Sequence, residues 1–521
     1  MKTPWIGWLG LAISVLFILP IVMLVWQAFD FSQGSEHWYH LLTTWLGEAL
    51  VNTLLLTSLT AIGAVSLGTS LAWLSVAYRF AGSQLLAWLL VLPLALPPYV
   101  VAMLVTWWAD SSGTLHLWLR ELGWVEHWVD IRNLPVLALV FSLVFMPYVF
   151  LLARASFQRQ GLQAFEAARA LGLSPYQAFM KAALPIAKPS IIAGAALVMM
   201  ETLADYGASS LFAVPTLTQA IYRSWFNMGD WALAAQLAVT LISVIVLLLF
   251  LIQPSQQQHL SQQRANDGAK DPQYRINGLW MSGYAWTVFA LAFALPLTLL
   301  LWQSLSAETD SWNLTRLSGW FLNSLTLASI TALLAIAIAA LVSWQAYRQP
   351  NRLTHQWSLR LLSIGYGVPG TALAVAVLLT WQALGLAAGI AALVFAYSVR
   401  FMSVAVQSTQ AGLAQLSPRL LEAAQLHGYQ PWQQHWRVTL PLMSPHLLAG
   451  SLMVAIEVLK ELPATLMLRP FNFDTLAVIT YQYAQDERIP EAANAALLIV
   501  MASLVGLFLV KWLEQKANRG N

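Results

Sequence analysis

The sequence predicts an all-α membrane protein with about twelve transmembrane helices. Hydrophobic residues make up 59% of the 521 residues and charged residues only 9%, and the mean hydropathy is +0.64. A soluble domain carries about 25% charged residues, so this composition favours a chain that is solvated by lipid. The chain contains no cysteine, which excludes a disulfide framework and any Cys-ligated metal site.

Apolar stretches of membrane-spanning length follow one another along the chain. In the first half they lie near 5–28, 50–78, 84–109, 134–155, 188–212 and 233–253. In the second half they lie near 279–303, 321–345, 359–381, 387–408, 443–468 and 493–513. Proline interrupts the stretches 84–109 and 359–381, where it breaks the helical hydrogen-bond ladder. The first stretch is too long for a signal peptide and lacks a small-residue cleavage site, so we expect a membrane helix there.

The distribution of basic residues predicts the orientation of these spans. If the N-terminus lies in the cytoplasm, most Lys and Arg residues fall in cytoplasmic loops and few fall on the opposite side. The opposite side also holds an acidic segment around Asp110, Glu121, Glu126 and Asp130. Because loops rich in Lys and Arg are retained in the cytoplasm, we expect both termini on that side.

A polar segment from Pro254 to Gly278 divides the chain into two similar halves. Its Gln, Asn, Asp and Gly content predicts a flexible cytoplasmic linker. VNTLLLTSLTA from Val51 is matched by LNSLTLASITA from Leu322, and LPLALPP from Leu92 is matched by IGYGVPG. We therefore predict a first repeat at 1–253, a linker at 254–278 and a second repeat at 279–521. With six spans each, the two repeats enter the membrane in the same orientation, which is a parallel duplication.

Two amphipathic stretches interrupt the apolar pattern at corresponding places. They read EAARALGLSPYQAFMKAALP from Glu166 and EAAQLHGYQPWQQHWRVTLP from Glu422, which lie 256 positions apart. Six residues after each Glu stands a glycine, Gly172 or Gly428, where a left-handed residue would end a short helix. In the first copy the letters SPYQ from Ser174 then predict a capped second helix. We predict a helix, a glycine turn and a helix at the cytoplasmic surface in each copy.

A connection that merely folds back at the membrane surface would explain one such stretch, but two copies with equal intervals favour a shared function. The pattern resembles the signature loop of permease subunits of bacterial ABC importers, although Ala182 and Val438 replace the usual Ile. The resemblance implies a type I importer permease fold in which each loop docks into a cytoplasmic ATPase. The docking residues that it implies are Glu166, Ala167, Ala168, Gly172, Glu422, Ala423, Ala424 and Gly428.

The resemblance also implies partners and a location. It implies a cytoplasmic ABC ATPase as a homodimer, a periplasmic substrate-binding protein, and multi-pass insertion in the bacterial inner membrane. We expect no nucleic-acid partner and no cofactor. No G-x-x-x-x-G-K-[ST] motif occurs in the sequence, so the chain has no P-loop of its own and ATP hydrolysis is expected from the partner.

The span after each EAA stretch carries ionisable residues, which are costly in lipid and usually line an interior path or pair with one another. Glu201 and Asp205 are four apart in the first repeat, and Glu457, Lys460 and Glu461 follow in the second, so each set is expected on one helix face. Glu201 and Glu457 are again 256 positions apart. We predict that these residues border the translocation path or its gate. The alternative is a buried polar cluster in which Lys460 neutralises a neighbouring glutamate.

The sequence segments around these charged residues suggest a cargo. ADYGASSLF, AIYRSWFNMGD from Ala220 and KELPATLMLRPFNFDTLA from Lys460 resemble the ferric-iron permeases, which are fused chains of this size. Related fused permeases carry thiamine or aminoethylphosphonate, and these remain alternatives. In this family the cargo is selected mainly by a separate periplasmic binding protein. No spacing of metal-ligating residues in the sequence itself indicates iron.

Two other classes of membrane protein were weighed against the importer. A secondary transporter also has duplicated halves and intramembrane charges, but it gives no reason for paired cytoplasmic helix-turn-helix loops. A membrane-embedded enzyme would need a catalytic constellation, and neither an intramembrane His pair nor a Gly-x-Ser-x-Gly motif with a His partner stands out. The sequence therefore favours the permease.

Overall fold

The computed structural model describes residues 4–29, 45–123, 130–252, 274–275, 279–306, 312–349 and 352–519. Within these residues the fold is helical apart from two short strands, β1 (Tyr78–Arg79) and β2 (Tyr274–Arg275), which pair in parallel. Most of the predicted linker, residues 254–273 and 276–278, lies outside the described residues. The described part of the linker is strand β2, which is paired with β1.

The helices follow the order of the predicted spans. The first half contains α1 (Pro4–Ala28), α2 (Leu46–Ala77), α3 (Ser83–Leu89), α4 (Pro98–Ala109), α5 (Thr114–Glu121), α6 (Leu134–Ser156), α7 (Leu162–Ala170), α8 (Pro175–Ala178), α9 (Leu184–Ala204), α10 (Gly207–Leu211), α11 (Leu217–Phe226) and α12 (Trp231–Ile252). The second half contains α13 (Leu279–Phe289), α14 (Leu295–Ser306), α15 (Leu314–Arg348), α16 (Leu353–Ser363), α17 (Gly370–Ala383), α18 (Ile390–Ala414), α19 (Pro418–Leu426), α20 (Pro431–Gln434), α21 (Leu440–Lys460), α22 (Pro463–Leu468), α23 (Leu476–Gln485) and α24 (Ile489–Arg519).

The predicted number of spans is confirmed. Ten helices in the described part of the chain are long and apolar enough to cross a membrane. Two bent pairs raise the number to twelve if each is one span: Ser83–Ala95 with Pro98–Glu121, bent by 89°, and Leu353–Gly367 with Gly370–Ala383, bent by 116°. The bends fall at Pro97 and Pro369, which have extended backbones and interrupt the helices as the sequence predicts.

The described chain folds into two compact units. One contains the described residues of Trp38–Ala220 and Thr240–Ser306. Its centre is α2, α6 and α9, which approach closely because glycines face side chains: a Cβ on Gly68 or on Gly194 would lie within 2.9 Å of Val149. Small residues let membrane helices pack backbone against backbone. The pair α13–α14 packs against α3 and α4 in the same unit, with Trp302 5.6 Å from Trp107.

The other unit contains the described residues of Met1–His37, Ile221–Val239 and Ala307–Asn521. Its centre is α15, α18, α21 and α24. Helix α1 packs against α16 and α17 in this unit, where Ser14 Oγ donates to the carbonyl of Ser358 at 3.1 Å and Phe17 lies 5.4 Å from Phe395.

The two compact units do not coincide with the two halves of the sequence. Helix α1 begins the first half but belongs to the unit built from 307–521, whereas α13 and α14 begin the second half but belong to the unit built from 38–220. Hydropathy shows that a helix spans the bilayer but carries no information about its packing partner, so this assignment could not be made from the sequence. The boundaries 1–253, 254–278 and 279–521 remain a prediction about the duplication, not about compact units.

Candidate functional site

Each EAA loop, residues 162–183 in the first and 418–439 in the second, forms a helix, a glycine turn and a second helix. The turns contain Gly172 with φ +90° and Gly428 with φ +81°. In each loop the glycine amide donates to the carbonyl three residues earlier, at 3.0 and 2.9 Å. The next amide donates to the carbonyl five residues earlier, at 3.2 and 3.1 Å. This pair of bonds is a Schellman cap, which needs a left-handed residue and explains the equal intervals from Glu to Gly.

The second helix of each loop begins with side-chain caps. Ser174 Oγ accepts from the amide of Gln177 at 3.3 Å, and Gln177 Oε1 accepts from the amide of Ser174 at 3.2 Å, so the predicted capping box is present. In the second loop Gln433 Oε1 accepts from the amide of Gln430 at 2.9 Å. The two loops therefore share the return bond from the third helical residue to the cap.

The predicted docking residues have the same burial in the two loops, except for the glutamates. Ala168 and Ala424 are buried, Glu166 is half-buried, and Ala167, Gly172, Glu422, Ala423 and Gly428 are exposed. Beside them Leu171 and Leu426 are 85% and 90% exposed. Each unit by itself thus presents an apolar side chain next to its glycine turn.

The first loop rests on a cluster of aromatic rings. The indole of Trp73 on α2 lies 4.9 Å from Phe165, 4.9 Å from Phe179 and 5.2 Å from Phe157. These rings join the loop to α2, and Phe157 and Phe165 are fully buried. Such aromatic contacts stabilise the position of the loop beyond the area that they bury.

The second loop rests on a related but more polar cluster. Trp344 on α15 lies 4.6 Å from the ring of the buried His435, and the guanidinium of Arg348 lies 5.4 Å from the same indole. Neither cluster was predicted from the sequence. Trp73 and Trp344 each stand twenty residues after the hydroxyl of the matched VNT and LNS words, which is the signal that could have found them.

The structure corrects the predicted placement of two ionisable residues. α9 ends at Ala204 and α21 ends at Lys460, so Asp205 and Glu461 do not continue the helical faces of Glu201 and Glu457. Asp205 has φ −70° and ψ 137°, and Glu461 has φ −68° and ψ 119°. Each span therefore breaks at its second carboxylate.

The carboxylates at the two breaks cap the short helices that follow. Asp205 Oδ1 accepts from the amide of Ser209 at 3.0 Å, and Glu461 Oε1 accepts from the amide of Ala464 at 3.0 Å. These bonds satisfy amides that open α10 and α22 and would otherwise be unpaired. The apolar residues after each break kept the hydropathy high, so the sequence analysis read one continuous span.

In each repeat, the helix that follows the short helix after the break is hydrogen-bonded to the long helix near the start of the repeat, α2 or α15. The amide of Leu217 donates to Thr53 Oγ1 at 3.0 Å in one unit, and the amide of Leu476 donates to Ser324 Oγ at 2.9 Å in the other. Thr53 and Ser324 are the hydroxyl residues of the matched words VNT and LNS. The sequence repeat thus corresponds to a repeated hydrogen bond that holds the start of α11 and of α23.

The charged residues that were predicted at this break in the second repeat, Glu457, Lys460 and Glu461, take part in two ion pairs. Lys460 Nζ lies 3.0 Å from Glu457 Oε1, which is the pairing that the alternative interpretation of these residues expects. Arg400 Nη1 on α18 lies 3.3 Å from Glu461 Oε1, and both side chains are buried. The sequence analysis missed Arg400, although a lone arginine inside an apolar span is itself a signal of a functional or paired site.

A further polar cluster lies where α11 and the segment between α22 and α23 meet within one unit. Burial raises the pKa of the Tyr222 hydroxyl, and the positive charge of Arg469 opposes that rise. Arg469 is ion-paired with Asp474, whose backbone carbonyl accepts from Asn323 Nδ2 at 3.0 Å. In the described residues no group of three His, Asp or Glu side chains is placed to hold a metal ion.

Comparisons with known proteins agree with these features. The family model described as "Binding-protein-dependent transport system inner membrane component" matches residues 64–263 and again 332–519. The Fe(3+)-transport system permease protein FbpB 2 of Haemophilus influenzae is 26% identical over 479 residues, which cover 89% of this chain and 90% of that protein. The sulfate transport system permease protein CysT of Escherichia coli is 27% identical and covers 48% of this chain. The spermidine/putrescine transport system permease protein PotB of the same organism is 26% identical and covers 47%. Each of these two is covered to 92% of its own length.

Proposed function

This chain belongs to the family of binding-protein-dependent transport system inner membrane components and is the non-catalytic permease subunit of an ABC importer, and we propose that its cargo is ferric iron. One observation supports ferric iron as the cargo. A relative named for Fe(3+) transport aligns along both repeats, whereas the sulfate and spermidine/putrescine permeases align with about half of the chain.

The proposed route of the cargo begins outside this chain. Family membership implies a substrate-binding protein and an ATPase as partners. We propose that the binding protein selects ferric iron in the periplasm and delivers it to the permease. Glu201, Asp205, Glu457, Lys460 and Glu461 are then proposed to border the path or its gate, since buried or half-buried charges within or at the end of apolar spans mark such routes.

The two EAA loops are proposed to dock two copies of one ATPase subunit. The support is their shared geometry: both have a Schellman-capped glycine, a buried second alanine of the EAA motif and an exposed leucine close to the turn, directly before Gly172 in one loop and two residues before Gly428 in the other. Two surfaces with the same cap and an exposed apolar side chain beside it fit two copies of the same groove. Eight residues are proposed to dock: the six residues of the two EAA motifs and the two turn glycines, Gly172 and Gly428.

The proposed orientation places both termini and both EAA loops in the cytoplasm, following the distribution of basic residues. The Cys-free chain allows a direct measurement. Tyr176→Cys in the first EAA loop should resist an impermeant thiol reagent in intact cells, and Thr315→Cys at the start of α15 should react with it. Both positions are exposed. Reaction at position 176 from outside the cell would reject this orientation.

Growth and uptake measurements test the cargo. Cells that lack the chain should fail to take up ferric iron through the periplasm and should grow normally on limiting thiamine or aminoethylphosphonate. The wild-type gene supplied in trans should restore iron uptake. A requirement for the chain on thiamine or aminoethylphosphonate, with iron uptake intact, would reject ferric iron and leave the permease assignment unchanged.

A further inference from the structure

The break at Glu461 is tied to two other helices of its unit. Glu461 Oε1 takes both the amide of Ala464 at 3.0 Å and the guanidinium of Arg400 at 3.3 Å. One turn before Arg400, the fully buried hydroxyl of Tyr397 is hydrogen-bonded to Thr465 Oγ1, which in turn donates to the carbonyl of Glu461 at 2.6 Å. Helix α18 therefore holds both the side chain and the backbone of the break.

The start of α17 leaves room for this network. Gly370 is its first residue, and a Cβ there would lie too close to Arg400 Nη1 and Glu461 Oε1 and only 3.3 Å from the amide of Ala464. The last glycine of the IGYGVPG segment is thus explained by the ion pair between Arg400 and Glu461, which lies against it. A side chain at this position would push Arg400 away from its carboxylate.

The first repeat has the same break without this tie. The 256-residue offset puts Asp205 in the place of Glu461, Val144 in the place of Arg400 and Phe141 in the place of Tyr397. The corresponding Pro-rich word puts Pro98 where Gly370 stands. Val144 and Phe141 are buried apolar side chains. Among the described residues no Lys or Arg is ion-paired with Asp205.

The difference matters because separating a buried ion pair leaves charges without compensation in a medium of low dielectric constant. To move away from α18, the break at Glu461 would have to separate the carboxylate from Arg400 and also lose the contact between Tyr397 and Thr465. The break at Asp205 is held to α11 by a neutral bond, from Thr218 Oγ1 to the carbonyl of Asp205 at 2.6 Å, and its movement would separate no ion pair among the described residues. The two breaks therefore resist movement to different degrees.

We propose that the two repeats have different roles in the transport cycle. Arg400 is a positioning residue that keeps the break at Glu461 fixed, and the break at Asp205 is the one that changes conformation. This inference rests on the proposed function, because it requires a cycle driven by the partner ATPase. It adds to that function an asymmetry that the sequence repeat does not show.

Hydrogen exchange on the complete wild-type complex of permease, ATPase and binding protein tests the asymmetry. Exchange is compared between the nucleotide-free complex and the complex trapped with ADP and vanadate. Amides of Ala208 and Ser209 should change exchange rate between the two states by about tenfold, an ordinary coupling between states. The amide of Ala464 should keep the same rate in both. A change at Ala464 as large as that at Ser209 would overturn the proposal.

Arg400→Gln distinguishes positioning from a purely structural role, with Arg400→Lys as the charge-conserving control. In the glutamine variant the exchange of Ala464 should become dependent on the nucleotide state, and ATP hydrolysis without binding protein should rise severalfold. The lysine variant should remain close to wild type. Faster exchange in both states alike, with unchanged ATP hydrolysis, would show that Arg400 only stabilises the fold and would reject the proposal. If ATP hydrolysis by the wild-type complex did not respond to the binding protein, the proposed function itself would fail, which is a separate outcome.

Discussion

His435 packs against Trp344 in the second repeat at the position where Phe179 packs against Trp73 in the first, and the rings of both pairs are tilted. The ring centroids are 4.6 Å apart in the first-named pair and 4.9 Å apart in the other. His435 is buried, and its Nδ1 atom has no hydrogen-bond partner among the residues that the structure describes. The aromatic cluster under the second EAA loop therefore contains an unsatisfied polar atom where the cluster under the first loop has an apolar ring.

This relationship predicts opposite effects for two exchanges. His435→Phe removes an unpaired buried nitrogen and should stabilise the protein by about 1 kcal/mol, since such atoms cost about 1–3 kcal/mol. Phe179→His should destabilise it by a similar amount. Thermal unfolding in detergent measures both. If His435→Phe lowered the midpoint of unfolding, the orphaned nitrogen would not be the source of strain in this cluster.

The glycine turns predict a loss of coupling that depends on backbone conformation. Gly172→Val and Gly428→Val force a β-branched residue into a left-handed backbone, where an ordinary L-residue already costs about 1–2 kcal/mol. Open space surrounds both positions, so steric contact with a neighbouring group does not contribute. We expect binding-protein-stimulated ATP hydrolysis and uptake to fall while insertion into the membrane is retained.

Two matched variants isolate the cause. Gly172→Asn should retain most activity, because asparagine tolerates the left-handed region better than other residues. Gly385→Val has the same backbone strain, at φ +68°, in the turn between α17 and α18 outside either EAA loop, and should leave stimulated hydrolysis unchanged. Normal transport by the double variant Gly172→Val, Gly428→Val would reject the docking role of the loops.

The sequence predicted local features of the site well. The glycine turn at Gly172 and the cap at Ser174 depend on backbone conformation within a few residues, and the letters themselves specify that conformation. The two bends near Pro97 and Pro369 were equally local. Such features require no knowledge of which helices become neighbours.

The features that the sequence did not predict all depend on tertiary neighbours. Nothing in the apolar letters of α1 indicates that it packs against α16 and α17. The bond between Glu461, at the end of α21, and Arg400 joins residues that are 61 positions apart in the chain. A hydropathy window averages over the break because the residues of α22 are as apolar as those before it.

The matched hydroxyl residues predict local destabilisation when they are removed. Thr53→Val keeps the shape of the side chain but leaves the amide of the buried Leu217 without its acceptor, at a cost of about 1–3 kcal/mol. Ser324→Ala should do the same to Leu476. Hydrogen exchange should accelerate at the two amides.

Thr57→Val is the matched control for these two variants. Thr57 is also buried on α2, but within the described part of the chain its hydroxyl bonds only to the carbonyl of Thr53 one turn earlier, at 2.7 Å. Its replacement should therefore leave exchange at Leu217 unchanged. Equal acceleration in Thr53→Val and Thr57→Val would show that the effect comes from α2 and not from the bond to α11.

The last prediction concerns Glu457 and Lys460, which form the half-buried ion pair next to the break. Glu457→Gln removes the carboxylate that pairs with Lys460 and should destabilise the protein by about 2 kcal/mol, less than the 3–5 kcal/mol typical of fully buried pairs. The double variant Glu457→Gln, Lys460→Met removes both charges and should regain that stability, because a neutral pair of similar volume avoids the cost of desolvation.

Stability and transport then separate the two interpretations of this pair. If the carboxylate borders the path, the double variant should regain stability but still hydrolyse about fivefold more ATP per transported cargo, a typical coupling effect. Glu201→Gln should change the same ratio, and it leaves no lysine behind because Ala204 occupies the place of Lys460 in the first repeat. Both ratios are measured in proteoliposomes with the binding protein in excess. A double variant with normal stability and a normal ratio, together with a normal ratio in Glu201→Gln, would assign these carboxylates to the fold alone, because their charges would then be dispensable to the moving cargo.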